Sequence, residues 1–323
     1  MTALTRRGLL ASTAALAAGS LVAPTAHAVA PASGKQAPGF YRYKVGDFEV
    51  TAFNDGFVKV PKLDSFVVNQ PLEAIQKAVE ESFIPKDDVR VHFNPLLVNT
   101  GSKLVLFDTG FGDNGSPTQG GLLANMASAG IDPNAVDVVI ISHFHADHIS
   151  GIRAKAGAAN FRNAEIMVPA EEWAWWTNDS ETSKAAEVWK GQIANSKRVF
   201  EPIAKDVKRF DYGKELVTGI TSVDARGHSP GHAAFVIASG NAKLMYIADV
   251  TNHPAIFARH PEFRLWADMI PDLALTNRRK LLDMLAAERM PMTGYHYPFP
   301  AVGHIAKRGN GYDFHPASWQ PVL

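Results

Sequence analysis

From Phe40 the chain alternates apolar and polar positions: Tyr41, Tyr43 and Val45, then Phe48, Val50 and Ala52, with Asn54-Asp55-Gly56 as a turn signal before Phe57-Val58. A period of two puts one set of side chains on one face, so this stretch predicts a β-hairpin. Between Pro71 and Phe83 the period lengthens, with Leu72, Ile75, Val79 and Phe83 at helical spacing. Leu122 to Gly130 predicts a second short helix, stopped by Gly130 and Asp132-Pro133. Two later stretches echo one another. Leu96 to Asp108 reads as strand, glycine turn, strand and terminal aspartate; Ala234 to Asp249 repeats the order around Ser239-Gly240-Asn241. An echo of this kind predicts two related halves, each a sheet with helices on its outer face. The expected fold is therefore α/β (α+β), a four-layer αββα sandwich whose strand ends, and both terminal aspartates, meet along one edge.

The first residues follow a different pattern. Thr5-Arg6-Arg7-Gly8-Leu9-Leu10 opens a mildly apolar run that closes on Ala26-His27-Ala28, a small-x-small cleavage pattern. Residues 1–28 are read as a Tat-type signal peptide, 29–39 as a Pro/Ala/Ser/Gly-rich linker and 40–323 as the folded domain. Gly8 to Val22 is short and diluted by Ser and Thr, which argues against a membrane anchor. The expectation is a protein exported folded to the periplasm or beyond, with no membrane attachment after signal removal.

Composition narrows the chemistry. The chain has 323 residues, 46% of them hydrophobic, and 32 basic against 32 acidic side chains. A chain of that size buries roughly three quarters of its unfolded surface, enough for a core without cross-links. Zero net charge offers no polycation for nucleic acid phosphates or an anionic membrane. The absence of cysteine removes disulfides, thiolate ligands and a cysteine nucleophile. Any metal must sit on histidine and carboxylate.

Ser142-His143-Phe144-His145-Ala146-Asp147-His148 supplies both, directly after the apolar stretch Val136 to Ile141. Alternate residues of an extended strand end face one way, so His143 and His145 can point at one ion, while Asp147 and His148, past the turn, serve a second. A polar loop with chance histidines is the bland alternative, but a buried imidazole–carboxylate cluster is costly without a cation. Further donors follow at other expected strand ends. Gly227-His228-Ser229-Pro230-Gly231-His232 forms a sharp loop on which one histidine easily faces the site; Asp249 ends the second echo; His296 follows the strand-like Met290 to Thr293. A carboxylate such as Asp249 has two oxygens and can bridge two ions roughly 3.5–4 Å apart.

The ordered set His143-x-His145-x-Asp147-His148, His232, Asp249 and His296 resembles the metallo-β-lactamase superfamily. The resemblance implies one ion on His143, His145, His232 and Asp249 and another on Asp147, His148, Asp249 and His296. It makes His228 and Asp108, in Asp108-Thr109-Gly110, supports that do not bind metal. Within the superfamily, Pro38 to Arg42, Gly46 to Ala52, Leu97 to Leu106 and Phe299 to Ile305 are most similar to methyl parathion hydrolases and dihydrocoumarin hydrolases, which are exported dimeric di-metal enzymes. That likeness implies a di-metal hydrolase in which a metal-bridging hydroxide cleaves lactones, aryl esters or phosphotriesters. Asp147 or Asp249 would orient the hydroxide and take its proton. The expected cofactors are two divalent ions, Zn2+ first, with Mn2+, Co2+ and Fe2+ compatible. The expected partners are a small uncharged substrate and a second copy of the chain. Gly294-Tyr295-His296-Tyr297 and Val250 to Leu265 depart from those relatives, and substrate preference hangs on them.

Glu172-Trp173-Ala174-Trp175-Trp176 is the most aromatic stretch, with Trp173 and Trp176 on one helix face. Packing explains such residues as well as a pocket does. The resemblance places Trp176, with Trp173, Phe111 and Phe257, around a substrate pocket. His92, His253, His260, His304 and His315 lack a motif partner and are read as structural. A β-lactamase, a glyoxalase II-like thioester hydrolase, a single-iron oxygenase and a non-catalytic metal binder are the competing readings. Asp249 argues against the first, export against the second, the second ligand set against the third, and room for substrate against the last.

Overall fold

The computed structural model describes residues 32–34 and 36–323. Residues 1–28 lie outside that range, so the signal-peptide reading falls on residues not described. The predicted hairpin forms as strands β1 (Phe40–Val45) and β2 (Phe48–Phe53), antiparallel with Phe40 opposite Phe53. A ribbon of β3 (Gly56–Lys59) and β4 (Arg90–Phe93) follows, with helix α1 (Leu72–Glu80) between them in the chain. The helix stops short of its predicted end because Phe83 takes a left-handed φ of 58°, leaving its ring exposed.

Strands β5 (Leu96–Asn99), β6 (Leu104–Phe107), β7 (Val138–Ile140), β8 (Glu165–Pro169) and β9 (Lys208–Phe210) join β1 and β2 in a seven-stranded sheet of order β1-β2-β5-β6-β7-β8-β9. Pairing is antiparallel as far as β6 and parallel from β6 to β9. The second sheet runs in chain order through β10 (Glu215–Val217), β11 (Ile220–Asp224), β12 (Ala233–Ser239), β13 (Ala242–Tyr246), β14 (Met292–Thr293), β15 (Val302–Arg308) and β16 (Gly311–Pro316). The two echoed segments are the hairpins β5–β6 and β12–β13, one in each sheet.

Alternation along the strands builds the layers. Val105 and Phe107 of β6 pack inward with Phe235, Leu244 and Tyr246 of the other sheet, while Leu106 faces outward. That outer face is covered by α2 (Leu122–Ser128), α4 (Ala170–Trp176) and α5 (Lys190–Phe200), through Leu122, Trp176, Ile193 and Phe200. Helix α6 (Pro271–Glu288) covers the second sheet, packing Leu281, Leu282 and Leu285 on Ala234, Met245 and Ile247. The result is the four-layer αββα sandwich. Each wholly buried leucine or phenylalanine contributes about 1.5–3 kcal/mol, so the central inter-sheet layer is the main store of stability. Replacing Phe107 by alanine would cost about 3–5 kcal/mol.

A fourth apolar cluster lies outside these layers. Val67, Ile75 and Val79 from the α1 region pack with Ile256, Phe257, Phe263 and Leu265, and Val67 bridges to Leu265 as an isolated strand pair. This places the segment after Asp249, which includes a π-helical turn at Pro254–Ala258, over the strand-end edge.

Candidate metal centre

Every residue of the centre lies just beyond a strand. After β7 the chain passes Ser142 and His143, turns at His145 and enters the one-turn helix α3 (Ala146–Ile149), which carries Asp147 and His148. Asp108 follows β6 at a left-handed φ of 57°. Its buried carboxylate accepts from Ser142 N and Oγ at 2.8 Å each, Tyr246 Oη at 2.7 Å and His148 Nδ1 at 2.9 Å. Because Ser142 Oγ donates to Asp108, it accepts from His143 Nδ1 at 3.0 Å. Both imidazoles are thereby oriented through one nitrogen, leaving the other Nε2 for the centre.

Two sets of donors converge. His143 Nε2 and His228 Nε2 stand 3.0 and 2.9 Å from His145 Nδ1. On the other side, His148 Nε2 and His296 Nε2 stand 3.3 and 3.4 Å from Asp147 Oδ2. Asp249 lies between them, with Oδ1 3.2 Å from His148 Nε2, and Oδ2 3.2 Å from His228 Nε2 and 2.8 Å from His296 Nε2. The ligand atoms of His143, His145 and His228, of His143, His148 and Asp249, and of Asp147, His148 and His296 each fall within 4.8 Å of one another.

The structure places the two histidines of the 227–232 loop differently from the roles expected of them. His232 Nδ1 donates to Ala225 O at 2.8 Å, and its Nε2 accepts the Asp249 amide at 3.1 Å. With both nitrogens engaged, His232 has no lone pair for an ion; it fixes the backbone of the bridging aspartate. His228, expected as a mere support, turns Nε2 into the centre and donates through Nδ1 to Asp268 Oδ1 at 2.9 Å. Asp268 is held in turn by buried Arg278 at 3.0 Å. The loop places His232 directly before β12, where the strand ladder claims its surroundings, and that adjacency was the available sequence signal.

The donor set fits a pair of cations. Nitrogen lone pairs facing one another at about 3 Å repel unless something positive sits between them. Burial pushes the His143 and His145 imidazoles well below their ordinary range, so both are neutral ligands. Burial also opposes charge on His148, but the carboxylates of Asp147, Asp249 and Asp108 outweigh it and raise its pKa well above the ordinary value. For Asp249 burial is likewise outweighed, by His296, His148 and His228, and its pKa falls well below the usual carboxylate range. Although buried, His148 Nε2 and Asp249 Oδ1 make no aligned hydrogen bond among the described residues. Protons bound there substitute poorly for metal.

A cavity of about 250 Å³ opens onto the centre. Phe93, Phe111, Trp189, Leu265 and Trp266 contribute apolar wall, and Gln192 and Asn252 contribute polar points. The His145 ring stacks on Trp189 at 5.3 Å and 8°, and Trp189 on Trp266 at 6.0 Å and 15°. Phe111 lines this cavity, while Trp176, Trp173 and Phe257 do not. Trp176 is wholly buried and donates Nε1 to Glu172 at 2.7 Å; Trp173 packs on Phe144 and Phe200 beneath Arg209; Phe257 is buried against Phe66 behind the wall. The 172–176 aromatics fasten helix to sheet, as the packing alternative holds. Tyr295 also has a supporting place, its ring 4.0 Å from that of His148 and its hydroxyl donating to Asp147 O. Burial pulls His253 down to about 4; its ring lies outside the cavity wall.

Probable metallo-hydrolases of Mycobacterium bovis and Mycobacterium tuberculosis are each 28% identical over 180 residues, which is 49% of this chain and 56% of theirs. The chain thus spans about half the length of those relatives. Among solved structures, AidC, a dizinc quorum-quenching lactonase in complex with a product, N-hexanoyl-L-homoserine, is similar at TM-score 0.82 and 28% identity over 87% of this chain and 98% of that one. The hydrolase AbOPH is similar at TM-score 0.83 and 26% identity, over 88% and 100%. The model of the Metallo-beta-lactamase superfamily matches residues 93–292, from the end of β4 to the strand that delivers His296. Covering well over half the sequence, that match shows that the chain belongs to the metallo-β-lactamase superfamily.

Proposed function

We propose that the protein is a di-metal hydrolase of lactones, aryl esters or phosphotriesters, and that a small uncharged lactone or ester is the substrate its pocket suits best. The position of Asp249 between two histidine sets carries this reading. One ion is assigned to His143, His145, His228 and Asp249, the other to Asp147, His148, Asp249 and His296. When bound, such ions polarise a carbonyl or phosphoryl oxygen and make water acidic enough to lose a proton near neutrality. Zinc is proposed as the metal, in line with the dizinc lactonase; imidazole and carboxylate also accept manganese, cobalt and iron.

The chain's own residues do the rest. Asp147 retains 17% side-chain exposure against 3% for Asp249, so it is the carboxylate able to meet incoming substrate and receive a proton. Tyr295, holding Asp147 O, keeps the α3 turn from shifting as that proton moves. The stacked Trp189 and Trp266 exclude water on one side and offer a flat apolar surface to an acyl chain or aryl ring.

The wall also separates the alternatives. Among the described residues no lysine or arginine lines the cavity, and Asp147 and Asp249 are its charged groups besides histidine. A β-lactam or a glutathione thioester carries a carboxylate that would meet no lysine or arginine on the wall and would face Asp147 and Asp249, so both are less suited to the site than an uncharged substrate. The sequence resemblance to methyl parathion and dihydrocoumarin hydrolases favours aryl esters and phosphotriesters, the likeness to AidC favours N-acyl homoserine lactones, and both are uncharged substrates that suit a wall without lysine or arginine. Export through the Tat pathway and assembly as a homodimer remain part of the proposal, resting on Arg6-Arg7 and on the resemblance.

The test is metal content together with a substrate panel on purified protein. Close to two transition-metal ions per chain and turnover of dihydrocoumarin, an acyl-homoserine lactone or an aryl phosphotriester are expected, with none of a cephalosporin or lactoylglutathione. One ion per chain, or preference for either anionic substrate, overturns the reading.

A further inference from the structure

Glu172 is a buried carboxylate that the proposed chemistry does not use. It sits in the first turn of α4, wholly shielded from solvent. Its oxygens are saturated by donors from three separate segments. Oε1 accepts from Phe144 N at 2.8 Å and from Trp176 Nε1 at 2.7 Å. Oε2 accepts from Ser229 Oγ at 2.8 Å and from Gly231 N at 2.6 Å. Two hydrogen bonds per oxygen leave the carboxylate fully satisfied, and charge-assisted bonds of this type are the strong ones.

The identity of the donors gives the arrangement its meaning. Phe144 N belongs to the residue between His143 and His145, and Ser229 follows His228 directly. The first loop comes from one sheet and the second from the other. Glu172 therefore spans the two sheets at the level of one proposed ion, where His143 Nε2 and His228 Nε2 must both approach His145 Nδ1 to about 3 Å. The backbone has closed around this contact: a Cβ on Gly231 would lie 2.0 Å from Glu172 N, so the glycine is required by the approach of α4.

We propose that Glu172 is a positioning residue for the ion held by His143, His145 and His228, setting the separation of the two loops that bring these ligands together. The inference rests on the metal assignment above and adds a residue that does not itself touch metal or substrate. Glutamine has nearly the same volume but places an NH2 where two N–H or O–H donors already point. Even with the NH2 turned toward Ser229, whose hydroxyl can reverse and accept, it loses the Gly231 bond and opposes N–H to N–H there. Loss of an outer partner of this kind typically weakens metal binding about 10–100-fold.

The experiment is Zn2+ binding by competition with a chromogenic chelator, on full-length wild type, Glu172→Gln, Ser229→Ala and Ile193→Ala. The last is a core substitution in α5, in the apolar layer on the outer face of the first sheet. The expected result is that Glu172→Gln weakens one of two ions about 10–100-fold and leaves the second in place, that Ser229→Ala weakens the same ion by less, and that Ile193→Ala lowers the melting temperature with both affinities unchanged. Unchanged Zn2+ affinity in Glu172→Gln overturns the inference, as does an equal loss in Ile193→Ala, which would reduce the role to general stability. If Glu172→Gln fails to fold, Ser229→Ala decides, and wild-type affinity there overturns it. Absence of Zn2+ binding by the wild type would instead overturn the metal assignment itself.

Discussion

The two sheets contribute to the centre in opposite ways. The first supplies His143, His145, Asp147 and His148 from one short loop after β7, with a single carboxylate, Asp108, aligning Ser142 and His148. The second supplies His228, Asp249 and His296 from three connections far apart in the chain, each with its own anchor. His228 leans on Asp268, His296 donates to His92 O at 2.8 Å, and the Asp249 amide is fixed by His232. The first set is contiguous in the chain and needs only bracing from the second sheet, by Tyr246 on Asp108 and Tyr295 on Asp147 O. The dispersed set exists only once α6, the 250–268 segment and the β3–β4 ribbon have docked.

This contrast can be broken or sharpened by experiment. The largest effect is expected from Asp249→Ala, which removes the residue shared by both sets: activity should fall below about 1% of wild type and metal content below two per chain. Two retained ions with near-normal turnover would dissolve the bridge. Next comes removal of metal by chelator. Ligand-linked stabilisation of about 4 kcal/mol at a thousandfold excess over Kd should disappear, seen as a clear fall in melting temperature that Zn2+ restores. In hydrogen exchange, protection should drop more over 250–268 than over 138–149, because the second set relies on docked segments.

The third comparison is between neighbours on one loop. His228→Ala should lose one ion, whereas His232→Ala should keep both while costing about 1–3 kcal/mol for the Asp249 amide and Ala225 carbonyl it leaves unpaired. The reverse outcome would return His232 to the ligand set. Trp266→Ala should reduce kcat/KM roughly tenfold, chiefly through KM, with metal content intact. The smallest effect concerns pH in stripped protein. The folded-state pKa of His148 is raised above its ordinary 6.5, so its stabilisation is complete below pH 6.5 and is lost as pH rises through the raised value. The melting temperature of chelated protein should therefore decline on the alkaline side of 6.5, and loading with Zn2+ should flatten that decline.

The same contrast explains what was legible. The hairpins, the sandwich and the loop from His143 to His148 could be read because period-two alternation and ligand spacing are local properties of a chain. Asp249 and His296 were found because each ends a recognisable strand. Which of His228 and His232 faces the cluster is not legible locally, because it depends on which ring nitrogen the strand ladder and Asp268 occupy, and Asp268 is forty residues away from His228. The cavity wall is hidden for a similar reason. Trp173 and Trp176 advertise themselves as a cluster, yet the tryptophans that line the cavity are Trp189 and Trp266, single residues on separate segments whose rings stack only in the folded chain. Glu172 stood in plain view beside the tryptophans. Its significance lay in backbone donors, which carry no mark in a sequence.

The paired hairpins β5–β6 and β12–β13 end almost alike, each passing through one left-handed residue. In the first that residue is Asp108 itself, with φ 57°; in the second it is Ala248, with φ 44°, and the aspartate comes one position later. The earlier carboxylate is turned back among hydroxyl, amide and imidazole donors, and the later one is delivered to the facing nitrogens of His148, His228 and His296. A slip of one residue between near copies thus separates a keystone from a working part.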